Sequence, residues 1–336
     1  MKLASYNDGS RDGRLLVVSK NLKYFVNVDD VAPTMQFAID NWNNVSIKLK
    51  KIYEKLNANT IHRKPFDEQL VHSPLPRAFQ WLDASAYVNH VSLVRKARNA
   101  EMPESFWTDP LMYQGGSDDF IPPRSPIVLS DENWGIDFEA EIAIIINDVD
   151  MGSSSDKVED KILLIMLAND VSLRNLVPNE ISKGFGFIHS KPSTAFSPVA
   201  VTLDEIKPFW KNGKLLRTIN TNLNDKAIGK VDADKDMTFN FYELIAHASK
   251  SRNLRAGTII GSGTISNRSD DGGPGKTINM GGRGYSCIAE LRMVEEIKTG
   301  SPKTPFMKFG DKVSISVFDD NKNSIFGTIE QTLIKK

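Results

Sequence analysis

The first thirty residues alternate apolar and polar side chains around Gly9 and Gly13, which predicts a small β-meander. Beyond Pro33, apolar residues recur at spacings of three, four and seven, as they do on one face of a helix. We therefore predict a single helix with Pro33 near its first turn. Its buried face would carry Met35, Ile39, Trp42, Leu49, Ile52 and Leu56.

Residues 57–78 show no periodicity and contain Pro65, Pro74 and Pro76, as is typical of a linker. We place a domain boundary near residue 75. Residues 1–75 would form a small N-terminal α/β domain, and residues 76–336 would form the main domain.

Short apolar runs with few helical patterns dominate the main domain, which favours an α+β, mostly β fold. The predicted strands are 126–129, 139–146, 199–202, 218–222, 258–261, 313–318 and 324–332. We predict one helix over 156–170, because Asp156 and Glu159 resemble a capping box ahead of an apolar run. A second, shorter helix is predicted over 244–251.

Composition narrows the class of protein. Lysine and arginine together number 42 and balance 42 acidic residues, which gives no electrostatic reason to expect a nucleic-acid or membrane partner. The single cysteine, Cys287, excludes a disulfide within the chain. No apolar stretch approaches the roughly 20 residues that span a bilayer, and no signal peptide is visible. We expect a cytoplasmic protein.

The candidate chemistry begins with Glu139 and Glu141, which open an apolar strand two residues apart and so share one face. Two carboxylates there would repel each other unless a divalent cation lay between them, and an all-oxygen site favours hard cations. For an isolated pair, solvent exposure or pairing with a basic residue is the alternative interpretation.

Further acidic residues support the metal interpretation. Asp170 closes the predicted apolar helix, where a carboxylate without a partner would be costly, and Arg174 follows it. Asp83 and His90 lie seven residues apart in a segment too interrupted for an ordinary core helix.

Several segments together resemble the fumarylacetoacetate hydrolase family over roughly residues 75–335. They are the Asp83 to His90 segment, Asp137-Phe-Glu-Ala-Glu, Asn169-Asp-Val-Ser-Leu-Arg, Ser190-Lys-Pro-Ser-Thr and Gly261-Ser-Gly-Thr-Ile-Ser. The resemblance implies a mixed β-roll core, a Mg²⁺ or Ca²⁺ ion with Mn²⁺ as a possible substitute, and a homodimer.

The resemblance also implies a role for individual residues. Asp83, Glu139, Glu141 and Asp170 correspond to the metal ligands, and His90 corresponds to the base that activates water. Lys191 and Arg174 correspond to catalytic residues that also contact substrate, while Tyr113 and Thr194 correspond to substrate-binding residues. The implied reaction is hydrolysis of a C–C bond in a fumarylacetoacetate-like 2,4-diketo acid, as in tyrosine and related aromatic catabolism.

Two differences between this sequence and the pattern of fumarylacetoacetases leave the exact reaction open. Val177 occupies a position where fumarylacetoacetases have glutamine, and His189 is a candidate to supply the missing polar group. The acidic partner of His90 is left open among Asp270, Asp271 and Glu290. A 2-keto-acid lyase, either a decarboxylase or a hydratase, and a fumarylpyruvate or acylpyruvate hydrolase are therefore the alternatives. A non-catalytic metal-binding or interaction protein is a third.

Overall fold

The computed structural model describes residues 1–97 and 101–336 and has an α+β fold with more strands than helices. The strands are β1 (Lys2–Tyr6), β2 (Arg14–Val18), β3 (Tyr24–Asn27), β4 (Lys64–Pro65), β5 (Trp81–Ala84), β6 (Met112–Gly115), β7 (Ile127–Leu129), β8 (Ile136–Asp137), β9 (Ala140–Ile146), β10 (Ile162–Asn169), β11 (Ser172–Leu173), β12 (Ala195–Phe196), β13 (Ala200–Val201), β14 (Trp210–Lys211), β15 (Lys214–Leu215), β16 (Thr218–Leu223), β17 (Lys226–Asp232), β18 (Ile259–Gly261), β19 (Lys312–Phe318) and β20 (Ser324–Lys335). The helices are α1 (Met35–Asp40), α2 (Trp42–Asn57), α3 (Val88–Ala97), α4 (Val177–Lys183), α5 (Phe241–Ala248) and α6 (Ile288–Thr299).

Two large sheets form the framework. The first has the order β4-β3-β2-β1-β13-β10-β9-β18-β5-β6, with β12 also paired to β10. All of its pairs are antiparallel except β18 with β5. The second sheet has the order β17-β16-β19-β20-β7. The predicted α+β, mostly β class is confirmed.

The predicted N-terminal meander is present as β1, β2 and β3, and it continues directly into the sheet of the main domain. Strand β1 pairs with β13 through Lys2 opposite Val201 and Leu3 opposite Ala200. The backbone ladder therefore runs unbroken across the proposed boundary near residue 75, and the division into two domains stays a proposal.

The prediction of a helix over residues 156–170 is wrong. Residues 162–169 form β10, a central strand whose residues are all buried, and two 3₁₀ turns at Ser155–Lys157 and Glu159–Lys161 precede it. Ile165 and Leu167 point into one hydrophobic cluster, whereas Met166 and Ala168 point into the other. A strand buried on both faces has a continuous apolar sequence, so its composition does not distinguish it from a buried helix.

The single helix predicted after Pro33 is two helices. Helix α1 is capped by Thr34, whose side chain accepts the Phe37 N–H, and it ends at Asn41, where φ is −114° and ψ is 25°. Helix α2 then begins at once and packs its buried residues, including Leu49, against the N-terminal strands. The regular spacing of apolar residues continues from α1 into α2 across Asn41, which explains why the sequence pattern alone predicted one helix.

The helix predicted over 244–251 corresponds to α5, which begins one turn earlier with a capping box between Asn240 and Glu243. Within residues 1–97 and 101–336, none of the helices combines the length and the apolarity needed to cross a bilayer.

The packing of α2 is tested by comparing two positions on the same helix. Leu49 is fully buried, whereas Ile47 is 61% exposed. We expect Leu49→Ala to lower the free energy of unfolding by about 2–5 kcal/mol, because it leaves a cavity under the meander. Ile47→Ala should change it by less than about 0.5 kcal/mol. Urea denaturation followed by circular dichroism measures both, and equal effects would contradict the packing described.

Candidate active site

Adjacent strands of the first sheet bring the predicted site residues together. Glu141 lies in β9 opposite Ala168 of β10, and Asp170 immediately follows β10. On its other side, β9 pairs with β18, and β18 in turn pairs with β5. Asp83 of β5 lies opposite Gly261 of β18 and opposite Tyr113 of β6. Residues distant in sequence thus meet at one end of the sheet.

Gly261 explains how the intervening strand leaves room for the acidic side chains. A Cβ atom at this position would lie 2.6 Å from Oδ1 of Asp83 and 2.4 Å from the ring of Trp81. Any larger residue would therefore displace Asp83, so this backbone approach requires glycine.

The acidic residues form a compact and buried cluster. One oxygen from each of the four carboxylates lies within 4.8 Å of the others, and all four residues are buried. The structure therefore brings together Asp83, Glu139, Glu141 and Asp170.

Two basic side chains contact one side of this cluster. Nζ of Lys191 lies 2.6 Å from both Glu139 Oε2 and Asp170 Oδ2, and it also donates to the hydroxyl of Ser172. The Arg174 guanidinium donates to Glu139 Oε1 at 2.7 Å and to Asp137 Oδ2 at 2.8 Å. Arg174 therefore pairs with Glu139 rather than with its sequence neighbour Asp170.

The charge is unevenly compensated across the cluster. Burial opposes ionisation of Glu139, but Arg174 and Lys191 outweigh it and hold the pKa of Glu139 well below its usual range. Burial, followed by the charges of Asp83 and Asp170, raises the pKa of Glu141 well above its usual range. Burial and the charge of Asp170 also raise the pKa of Asp83. Among the described residues, Arg174 and Lys191 thus compensate Glu139, whereas mainly negative charges act on Glu141 and Asp83.

Glu141 shows most directly that a cation fits here. Both of its carboxylate oxygens are buried without a hydrogen-bond partner in the described part of the chain. A buried carboxylate without a donor is strongly disfavoured, and a divalent cation among four carboxylates would remove that penalty. Because the donor set consists only of oxygens, it suits Mg²⁺, Mn²⁺ or Ca²⁺.

Polar groups around Asp170 complete one wall of the site. The Tyr113 hydroxyl donates to Asp170 Oδ2 at 2.7 Å, and the Thr194 hydroxyl donates to Asp170 Oδ1 at 2.7 Å. The Phe187 ring packs edge-on against Tyr113, with their centroids 5.1 Å apart. Tyr113 and Thr194, two of the four residues predicted to bind substrate, therefore hold a predicted metal ligand.

The acidic partner of His90, which the sequence left open, is Glu290. His90 lies in the first turn of α3, and its Nδ1 is 2.8 Å from Oε1 of the nearly fully buried Glu290 in α6. Asp270 and Asp271 instead pair with lysine and arginine side chains on the surface. The two members of the pair are 200 residues apart in sequence, and only the packing of α3 on α6 joins them.

The remaining positions differ in their relation to the site. Val177 begins α4 and, with Arg174, lines a largely apolar cavity of about 560 Å³ between α4 and α6. His189 is 82% exposed, with Nδ1 3.9 Å from Glu180. It is not hydrogen-bonded to any of the clustered carboxylates among the described residues.

Comparison with known families agrees with this geometry. Residues 80–334 match the family described as Fumarylacetoacetate (FAA) hydrolase C-terminal, and residues 1–77 match Fumarylacetoacetase N-terminal domain 2. The chain therefore belongs to the fumarylacetoacetate hydrolase family.

Individual relatives are distant. The fumarylacetoacetase of Caenorhabditis elegans is 24% identical over 208 residues, which cover 54% of this chain and 47% of that protein. The fumarylacetoacetase of Arabidopsis thaliana is 26% identical over 245 residues, 64% of this chain and 53% of that protein. The chain thus matches about half the length of these relatives.

Several solved structures share the fold over the whole chain, and one of them contains a metal ion. It is the maleylpyruvate hydrolase from Sphingobium sp. SYK-6 in complex with manganese (II) ion and pyruvate. The TM-score is 0.65 at 16% identity, with 100% of this chain and 99% of that chain covered.

Glu141 provides the direct test of cation binding. We expect Glu141→Gln to weaken Mn²⁺ binding by more than about 100-fold, since even groups that only support metal ligands typically account for 10- to 100-fold. Isothermal titration calorimetry measures the affinity, with Asp150→Asn at an exposed position as the control. Unchanged affinity in Glu141→Gln would remove Glu141 from the ligand set.

The same variant should be more stable than wild type when no metal is bound. The raised pKa of Glu141 means that the folded state resists its ionisation, so stability falls as pH rises above the unfolded-state value near 4.5. A neutral glutamine avoids this loss. In EDTA at pH 7.5, Glu141→Gln should gain about 0.5–2 kcal/mol, with the gain vanishing below pH 4. Urea titrations at both pH values measure it, and a loss of stability at pH 7.5 would contradict the charge distribution described.

Proposed function

We propose that this protein is a metal-dependent hydrolase that cleaves a C–C bond in a fumarylacetoacetate-like 2,4-diketo acid, acylpyruvates included. The observation that carries the proposal is the His90–Glu290 pair beside the four clustered carboxylates. His90 lies in α3, which begins four residues after β5, the strand that carries Asp83.

Asp83, Glu139, Glu141 and Asp170 would hold the cation. When bound, a divalent cation would polarise the keto oxygens of the substrate and offset the negative charge that develops there. The proposal does not commit to Mg²⁺ or Ca²⁺. The Sphingobium enzyme, which shares this fold, was solved in complex with manganese (II) ion and pyruvate, which supports a divalent cation and a keto acid as ligands.

His90 acts as the base that removes a proton from water. Because Nδ1 faces Glu290, the imidazole is oriented with its proton on Nδ1, and Nε2 is left to accept the proton. Glu290 would then stabilise the imidazolium, as a carboxylate does in other histidine-based sites. Hydroxide adds to the acyl carbonyl carbon, the adjacent C–C bond breaks, and the departing carbon takes the proton that was removed from water. The products are a carboxylic acid and a keto acid, which is pyruvate from an acylpyruvate and acetoacetate from fumarylacetoacetate.

The cationic and hydroxyl groups position the substrate. Lys191 supplies positive charge where the departing carbanion forms, and Tyr113 and Thr194 present hydroxyl groups on the same side. The Nε and one Nη group of Arg174 are occupied by Asp137 and Glu139. We therefore assign Arg174 mainly to orienting Glu139, with its remaining donors available to a substrate carboxylate.

Cys287 is unsuited to nucleophilic attack, which supports water as the nucleophile. Its thiol is buried, and burial raises the pKa well above its usual value. The sulfur accepts the Glu290 N–H at the start of α6 and so has a structural partner.

The alternative activity is that of a 2-keto-acid lyase. Val177 motivates it, because fumarylacetoacetases resemble one another in having glutamine at this position, whereas here an apolar side chain lines the cavity between α4 and α6. Relatives with other chemistry also exist, among them the oxaloacetate tautomerase of Xenopus laevis at 26% identity over 188 residues. The same cation site would polarise either class of substrate.

A substrate screen separates these activities. Fumarylpyruvate, maleylpyruvate, fumarylacetoacetate and oxaloacetate are each incubated with Mg²⁺, Mn²⁺ or Ca²⁺, and the products are identified. The proposal predicts loss of the diketo absorbance with stoichiometric formation of two carboxylic acids. Decarboxylation of oxaloacetate without cleavage of any diketo acid would favour the lyase, and tight cation binding without turnover would favour a non-catalytic protein.

His90→Ala should lower kcat by about 10²- to 10⁴-fold while leaving Mn²⁺ affinity unchanged, because it removes proton transfer but no ligand charge. Glu290→Gln should lower kcat less than His90→Ala does. Steady-state kinetics from pH 5 to 9, with calorimetry as the control, measure these effects. Loss of the metal would make His90 a ligand, and an unchanged rate would place the base elsewhere, with His189 tested next.

We further propose that the protein is a homodimer, as the family resemblance implies, and that it is cytoplasmic, as its sequence led us to expect. Size-exclusion chromatography with light scattering tests the oligomeric state.

A further inference from the structure

Glu180 is a buried acidic residue without a role in the site described so far. It lies in α4, and no lysine or arginine is paired with it among the described residues. Its carboxylate instead accepts the backbone N–H groups of Ile188, His189 and Ser190, at 3.0, 2.8 and 3.1 Å, and the hydroxyl of Ser190. One side chain thus satisfies three consecutive backbone donors.

These hydrogen bonds favour the ionised form of Glu180 and so lower its pKa. Burial disfavours the charge, but the hydroxyl of Ser190 and the backbone N–H groups outweigh it and lower the pKa of Glu180 to about 2. Glu180 therefore carries a full negative charge at neutral pH, and charge-assisted hydrogen bonds are stronger than neutral ones.

The segment held in this way connects two contacts of the site. Phe187, immediately before it, packs on Tyr113. Lys191, immediately after it, contacts Glu139 and Asp170. On the N-terminal side the chain has little support of its own, since Gly184 and Gly186 have φ values of 73° and 105° and Phe185 is 99% exposed.

We propose that Glu180 is a positioning residue that fixes residues 188–190 and thereby sets the place of Lys191 at the site. Because α4 begins three residues after Arg174, the same carboxylate also ties the Lys191 segment to the segment that carries Arg174. This inference rests on the proposed function for the role of Lys191. The hydrogen bonds to Glu180 stand independently of that role.

The test is a double-mutant cycle with Glu180→Gln and Lys191→Met. Glutamine keeps the shape but loses the charge and one acceptor, so Lys191 should be misplaced. We expect kcat for the acylpyruvate substrate to fall about 10- to 100-fold, with KM changed less than about threefold. In the Lys191→Met background, Glu180→Gln should add less than about twofold. Full additivity of the two effects would overturn the proposal.

Glu295 offers a matched control. Its carboxylate accepts the backbone N–H groups of Lys303 and Thr304 and the Thr304 hydroxyl, an equivalent arrangement on another loop. Glu295→Gln should leave kcat within about twofold of wild type. A loss of kcat equal to that of Glu180→Gln would show a general structural effect and contradict the proposal.

Hydrogen exchange gives a measurement that does not depend on turnover. In Glu180→Gln, the amides of residues 188–190 should exchange at least about tenfold faster while those of β9 and β10 are unchanged. Unchanged exchange at 188–190 would overturn the proposal. If the wild-type protein turned over none of the keto acids, the proposed function would be refuted. Hydrogen exchange would still decide whether Glu180 holds residues 188–190. If Glu180→Gln does not fold, Ser190→Ala, which removes one donor, should show the same changes at smaller size.

Discussion

Negative charge buried at one end of the central sheet is the constraint on which the rest of the site depends. Four carboxylates lie within 4.8 Å of one another and are removed from water, an arrangement whose repulsion and desolvation are costly. Lys191 and Arg174 compensate Glu139 on one side. Glu141 has no donor among the described residues. We therefore expect the site to favour a divalent cation and the protein to be less stable without one.

The sheet makes this concentration of charge possible. Strands β10, β9, β18 and β5 are hydrogen-bonded neighbours, so their ends carry side chains from distant parts of the chain into one small volume. Gly261 of β18, the strand between those that carry Glu141 and Asp83, has no side chain to occupy the space of the Asp83 carboxylate. Helices α3 and α6 then add His90 and Glu290 from outside the sheet. In the proposed mechanism, the strands and their ends supply the metal ligands, whereas the helices supply the base.

Much of the site could be predicted from the sequence where residues close together in the chain form a recognisable pattern. The two-residue spacing of Glu139 and Glu141 placed both at the start of a buried strand, and the family resemblance supplied the other acidic residues. The helix predicted over 156–170 failed, because a strand buried on both faces lacks alternation. Glu290 could not be chosen over Asp270 and Asp271, since only tertiary packing brings it to His90. Glu180 was missed because its partners are backbone N–H groups, which leave no pattern in the sequence.

The most direct test of the central claim is a crystal structure of the protein with Mn²⁺ and pyruvate, with anomalous differences measured for manganese. The account predicts one strong anomalous peak among Asp83, Glu139, Glu141 and Asp170, at about 2.0–2.6 Å from their oxygens, with pyruvate beside it. A manganese peak elsewhere, or a cluster that remains closed around Lys191 at saturating Mn²⁺, would contradict it.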